Sequence, residues 1–428
     1  MKTALAQFRS FPGPVRLLMV QQFTINAAFY MLMPYLATHL AHGLGLAAWA
    51  VGLVLGVRNL SQQGLFLIGG TLADRLGYKR VMMAGCLLRT AGFVLLGVAT
   101  DLPVLIIASA ATGFAGALFN PAVRAYLAAS AGPERRVEAF ALFNAFYQAG
   151  MLIGPLIGLA LLAFDFRLVC AVAALLFLAL TLLQARALPE HRATAPGNSN
   201  GVLADWRSVI ANRPFLLFAA AMTGSYVLSF QVYLALPLAA EQTVPGHGND
   251  VTTALFAVSA LVAVTAQVRL TRWARARWST ARAICYGLAL MAAAFLPPLT
   301  GSHVVTSADP LRHWVEALTP LLATAALIAL ATALLYPFEM DTVVALSGNR
   351  LVATHYGLYN TITGIGITLG NLATGAVWDT ARTAGHPRLP WLALAVTGAA
   401  CTGALALLAR SGKLTPSPRP AKEPELVA

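Results

Sequence analysis

Apolar residues in this chain follow neither the two-residue alternation of a strand nor the narrow stripe of a surface helix; they come in runs of span length. The runs occupy residues 17–38, 47–72, 81–100, 103–128, 139–163, 167–187, 214–239, 251–270, 283–300, 315–338, 354–378 and 390–410. A helix of ~20 residues crosses the hydrocarbon layer, so the pattern predicts twelve transmembrane helices. Pro34, Pro121, Pro155, Pro237 and Pro337 fall inside the runs. Neighbouring helices can re-satisfy the backbone groups that proline frees, so these helices are expected to be kinked rather than interrupted. The first run follows Lys2, Arg9 and Arg16 and lacks a small-residue cleavage site, so it reads as a retained span and not a signal peptide.

Composition agrees. Of 428 residues 58% are apolar and 11% charged, against ~25% charged in soluble domains, which excludes a soluble protein. The net charge of +13 does not indicate a nucleic-acid partner, because the cations cluster between the runs. With the N-terminus in the cytoplasm, 23 of the 29 Lys and Arg fall inside and only Arg167, Arg312, Arg382 and Arg388 outside, with Arg58 and Arg89 within spans. That bias places both termini in the cytoplasm. The polar stretch 188–212, with Pro196-Gly197-Asn198-Ser199-Asn200-Gly201, divides the runs six and six. The expected organisation is a six-helix bundle over 1–187, a cytoplasmic linker over 188–212, a second bundle over 213–411 and a disordered cytoplasmic tail over 412–428. Cys86, Cys170, Cys285 and Cys401 all lie in apolar runs without CxxC spacing, so no disulfide, metal or other cofactor is expected.

The halves resemble each other. Leu118-Phe119-Asn120-Pro121 onward aligns without gaps on Leu334-Leu335-Tyr336-Pro337 onward, pairing Pro121 with Pro337, Leu142 with Leu358, Asn144 with Asn360, Gly150 with Gly366 and Gly154 with Gly370, an offset of 216 (337 minus 121). A duplicated six-span bundle rocking about a midplane site is a transporter architecture.

The most specific local signal follows the second run: Gly70-Thr71-Leu72-Ala73-Asp74-Arg75-Leu76-Gly77-Tyr78-Lys79-Arg80. Gly70 permits close helix approach, Gly77 a sharp turn, and Asp74 sets a carboxylate among the cations Arg75, Lys79 and Arg80. Such a cluster at the seam of two bundles can act as a latch, with Asp74 in a gating salt bridge. In the fifth run Gly150, Gly154, Pro155 and Gly158 place a small-residue stripe on one helical face, bringing two backbones together. These segments resemble the loop 2–3 signature and the span 5 antiporter motif of the major facilitator superfamily. Arg58 with Gln62-Gln63-Gly64, Arg89-Thr90-Ala91-Gly92-Phe93, Asp165-Phe166-Arg167-Leu168-Val169-Cys170-Ala171 and Leu389-Pro390-Trp391 are similar to its MdtH-type branch of drug:proton antiporters. The resemblance implies an all-α membrane protein of two pseudo-symmetric six-helix bundles. It further implies a monomeric, non-enzymatic carrier of the bacterial inner membrane that exports small amphiphiles, of the drug or secreted-metabolite type, by proton antiport and contributes to multidrug resistance.

Three departures bear on coupling. Span 1 has Gln21, Gln22 and Asn26 where many such exporters carry an acid, Ser109 stands where a span 4 arginine is expected, and Thr271-Arg272 replaces Asp74-Arg75 in the second half. A proton-independent facilitator or uptake carrier is therefore the alternative. The residues proposed for proton coupling are Glu339, Asp341 and Arg58, the acids lying near the cytoplasmic end of span 10. Arg58 and Arg89 are costly in hydrocarbon and are expected to face protein or water, with Asp74 a possible partner. The candidate cavity lining comprises Asn26, Tyr30, Gln62, Asn120, Asn144, Gln148, Tyr226, Gln231, Tyr233, Tyr336 and Asn360. Lacking an acid in span 1, the cavity is not expected to be a dedicated cation binder.

Overall fold

The computed structural model describes residues 2–190, 201–243, 248–300 and 310–412, and every regular element in them is helical. Twelve segments reach span length: α1 (Gly13–Thr38), α2 (Ala48–Gly64 continued by Phe66–Leu76), α3 (Tyr78–Val98), α4 (Leu102–Ala131), α5 (Arg136–Leu162), α6 (Phe166–Ala187), α7 (Arg213–Thr243), α8 (Gly248–Arg277), α9 (Thr280–Leu299), α10 (Pro310–Ser347), α11 (Val352–Thr383) and α12 (Leu389–Arg410). Nine are individually apolar enough to span, and the bent α2 makes ten. The other two, α1 and α11, are 26 and 32 residues long but more polar. Their polar side chains Gln21, Gln22, Asn26, Thr354, His355, Asn360 and Thr363 are buried in protein, the condition under which a membrane helix tolerates them.

Within the first half α1 packs on α5 and α6, α3 on α4 and α6, and α2 on α4; within the second, α8 and α9 pack on α10, α7 on α11 and α12, and α9 on α12. The halves meet along α2–α11, α5–α8, α5–α10 and α4–α11. The predicted glycine stripe seats α1 on α5. A Cβ at Gly154 would lie 2.7 Å from the carbonyl oxygen of Ala27, and those at Gly150 and Gly158 would meet the carbonyls of Phe23 and Met31.

Several elements differ from expectation. The pieces of α2 meet at Leu65 with a 48° bend; no proline is present, and the break follows Gly64, a weak helix former. In α7 the chain tightens into a 3₁₀ turn over Phe230–Tyr233 and resumes as α-helix at Ala235. The ring of Pro237 would clash with the carbonyl four residues earlier, at Tyr233, so this span is interrupted rather than kinked. Pro34, Pro121, Pro155 and Pro337 sit inside continuous helices as expected. The tenth span continues past residue 338 to Ser347, which puts Glu339 and Asp341 in the helix body. The expected linker includes a helix, Val202–Ile210, while 191–200 and, in the tail, 413–428 lie outside the described residues.

Candidate functional site

A cavity of about 330 Å³ lies between the halves. Of the predicted lining residues, Gln62, Asn120, Asn144, Gln148, Tyr226, Tyr233, Tyr336 and Asn360 border it, joined by Gln22, Arg124, Tyr147 and Glu339 and by apolar surface from Phe66, Phe143, Phe230, Phe256, Met291 and Ile328. Asn26, Tyr30 and Gln231 do not border it. Asn26 is buried facing the α5 stripe and donates to the carbonyl of Gln22 at 2.7 Å; Gln22, one turn earlier, is the α1 residue that reaches the cavity. The Tyr30 hydroxyl is 3.2 Å from that of Tyr147. Gln231 turns into the second bundle, donating to Val227 O at 2.8 Å and Asn371 Oδ1 at 3.3 Å.

Charge in the cavity wall comes from opposite sides. Arg124 projects from α4 and donates through Nη1 to Asn360 Oδ1 of α11 at 2.9 Å. Glu339 projects from α10, is 3% exposed, and accepts from the Tyr359 hydroxyl at 2.5 Å. Among the described residues no cation lies within ion-pair distance of Glu339. Asp341 points elsewhere, since residues two apart on a helix face away from each other: it pairs with Arg136 of α5 at 3.1 Å. The expected acidic pair is thus two separate sites. Arg124, counted among the cytoplasmic cations at the end of the fourth run, is in the cavity wall. Its signal was available, one helical turn after Asn120 in a run already assigned to the lining.

Arg58 and Arg89 lie inside the first half, their guanidinium carbons 4.6 and 5.1 Å from the centre of the Phe29 ring. Arg58 donates to Asn59 Oδ1 at 2.8 Å and Gln62 Oε1 at 3.3 Å, and Arg89 to Thr112 O at 3.2 Å. Neither meets Asp74.

Among the described residues Asp74 makes no salt bridge. Its Oδ2 accepts from the backbone N–H and the hydroxyl of Thr354, each at 2.7 Å, and its Oδ1 from the N–H of Ala353 and the hydroxyl of Tyr78, each at 3.2 Å. A carboxylate from α2 therefore caps the first turn of α11, where orphan N–H groups and the helix dipole favour negative charge. Gly70 makes this approach possible, because a Cβ there would strike the carbonyl of Ala353. Gly77, at φ 94°, turns the chain from α2 into α3.

The cations of the motif point away from Asp74. Arg75 pairs with Asp205 of the helix Val202–Ile210 at 2.5 Å, Lys79 donates to Ala185 O at 2.9 Å, and Arg80 lies 3.5 Å from Glu190. Trp206 adds a 2.8 Å bond from its indole to Thr71. Nearby, Asn144 donates to Gln267 of α8 at 2.6 Å, and Arg275 of α8 binds Glu138 at 2.7 Å and the carbonyl of Glu134. Most polar bridges between the halves thus gather at the end carrying the α2–α3 turn. Gln267, Thr354 and Trp206 escaped sequence reasoning, each an ordinary polar or aromatic residue until its partner is known.

Over residues 18–309 the sequence matches the Major Facilitator Superfamily. The chain belongs to this superfamily. As a member it is a multi-pass membrane transporter that binds small-molecule substrates, and it is not an enzyme. A protein of Mycobacterium tuberculosis named as an uncharacterized MFS-type transporter is 56% identical over 396 residues, 92% of this chain and 93% of that one. Multidrug resistance protein MdtH of Salmonella arizonae is 28% identical over 382 residues, 89% of this chain and 90% of that one. The fold is similar to that of the Escherichia coli fucose:proton symporter FucP, with a TM-score of 0.72 at 15% identity, covering 92% of this chain and 98% of that one.

Proposed function

We propose that this carrier exports small amphiphilic molecules across the inner membrane by proton antiport, with both termini and the Asp74 end in the cytoplasm. The observation that carries the reading is Glu339: a carboxyl buried in the cavity wall, held by a tyrosine hydroxyl and unpaired with any cation among the described residues. Such a group in a membrane protein is a proton-relay candidate. It supplies the acid that α1 lacks, from the opposite bundle. The likeness to multidrug resistance proteins supports export of amphiphiles, as does the partly apolar, aromatic cavity. In this state the bridges around Asp74 close the cytoplasmic side. A proton can drive the cycle only by binding one state more tightly than the other, and Glu339 lies where closure of the bundles changes its surroundings.

The test uses inside-out vesicles and a panel of fluorescent amphiphiles. Transport into the vesicles should collapse on adding an uncoupler, and Glu339→Gln should lower gradient-driven accumulation at least ~10-fold while leaving solute exchange at equilibrium measurable. Movement indifferent to the uncoupler would establish the proton-independent facilitator instead.

A further inference from the structure

Resting on this carrier reading, we infer that the cargo is amphoteric: an apolar body bearing an anionic group received by Arg124 and a protonated amine received by Glu339. The two side chains border one cavity from opposite bundles, yet no ion pair joins them. The repeat explains the arrangement. With an offset of 216 residues, Arg124 of α4 corresponds to Met340 of α10 and Glu339 to Val123, so the two charges stand one position apart in the repeat frame, one on each of the paired helices. A charge in a low-dielectric wall carries a large desolvation cost unless it finds a partner. A solute with one charge would answer one of the two side chains, whereas a solute with both would answer each.

The anion side has a second, independent donor. Asn360 gives its Oδ1 to Arg124, while its Nδ2 is buried with no hydrogen-bond partner. One oxyanion beside Arg124 could accept from both groups. The acids within the first half's spans, Asp74 at the end of α2 and Glu138 in the first turn of α5, are taken up by α11 and by Arg275, and neither borders the cavity, whose first-half wall carries the cation Arg124. On the other wall, a cargo ammonium and a proton compete for the same Glu339 carboxylate. Binding of one in place of the other is what exchange of cargo for proton requires.

The probes are Nα-dansyl-lysine, which is zwitterionic, its carboxamide (cationic), its Nε-acetyl derivative (anionic) and the doubly blocked form (neutral). Binding to purified protein in detergent is read from dansyl fluorescence, with no gradient needed. The zwitterion should bind at least ~10-fold more tightly than any other member, corresponding to at least ~1.4 kcal/mol. Arg124→Gln should bring the zwitterion down to the level of the carboxamide, and Glu339→Gln to the level of the Nε-acetyl form; Arg124→Lys and Glu339→Asp should retain part of the preference and show that the site still folds. Equal binding of all four, absence of binding, or variants that weaken all four alike would overturn the proposal. Zwitterion-selective binding without uncoupler-sensitive transport would overturn the antiport reading and leave the charge assignment standing.

Discussion

Asp74 shows how one residue can matter through a neighbour far away in sequence. Its carboxylate accepts two backbone N–H groups of α11 and the Thr354 hydroxyl, and charged acceptors make hydrogen bonds of roughly 1.5–3 kcal/mol. Asp74→Asn keeps the shape but loses the charge, and should shift the cytoplasmic gate towards opening by about tenfold. With Cys86, Cys170, Cys285 and Cys401 replaced by alanine, the check is the rate at which a maleimide added from the cytoplasm labels Gln63→Cys; an unchanged rate would refute the capping role. The Arg75–Asp205 pair is 36% and 17% exposed, so it should contribute at most ~1 kcal/mol. Asp205→Asn should therefore raise the same labelling rate less than about fivefold. The motif containing Asp74 was legible in the sequence. Its partner was not, because no local pattern marks Ala353 and Thr354 as the helix end that would receive a carboxylate.

Elements behave according to what each face meets. The Gly150, Gly154 and Gly158 stripe was readable because small residues at every fourth position share a face, and that face lies against the α1 backbone. Gly154→Val should overpack this contact by ~1–3 kcal/mol and lower the unfolding temperature in detergent by several degrees. Gly52→Val, where nothing lies within 4 Å of the added Cβ, should leave that temperature nearly unchanged; equal effects would show that the stripe is not a packing contact. Lengths were less readable than faces. The fall in hydropathy at Tyr336-Pro337-Phe338-Glu339-Met340-Asp341 looks like the end of a span. The helix continues because Glu339 and Asp341 turn to tyrosine and arginine rather than to lipid. Hydropathy reports the average of a segment, and an inward-facing polar side chain lowers that average without ending the helix.

For the whole molecule, the proposed topology makes a direct prediction. Cysteines at Lys79 and Glu190 should be labelled by a membrane-impermeant reagent from the cytoplasmic side, and one at Arg388 only from the other; Lys79 and Arg388 sharing a side would rule this arrangement out. The sequence by itself determined the class of molecule and its all-helical fold of two related bundles, because the hydrocarbon layer imposes span length on every crossing segment and duplication leaves a constant offset. Tertiary structure alone decided that Arg124 and Glu339 face one cavity, that Asp341 answers Arg136 across the seam, and that Asp74 caps α11 in place of an ion pair. These are contacts between the halves, set by the rotation and depth of each helix in its bundle. A hydropathy pattern records how much of a helix is apolar and says little about which partner its few polar residues meet.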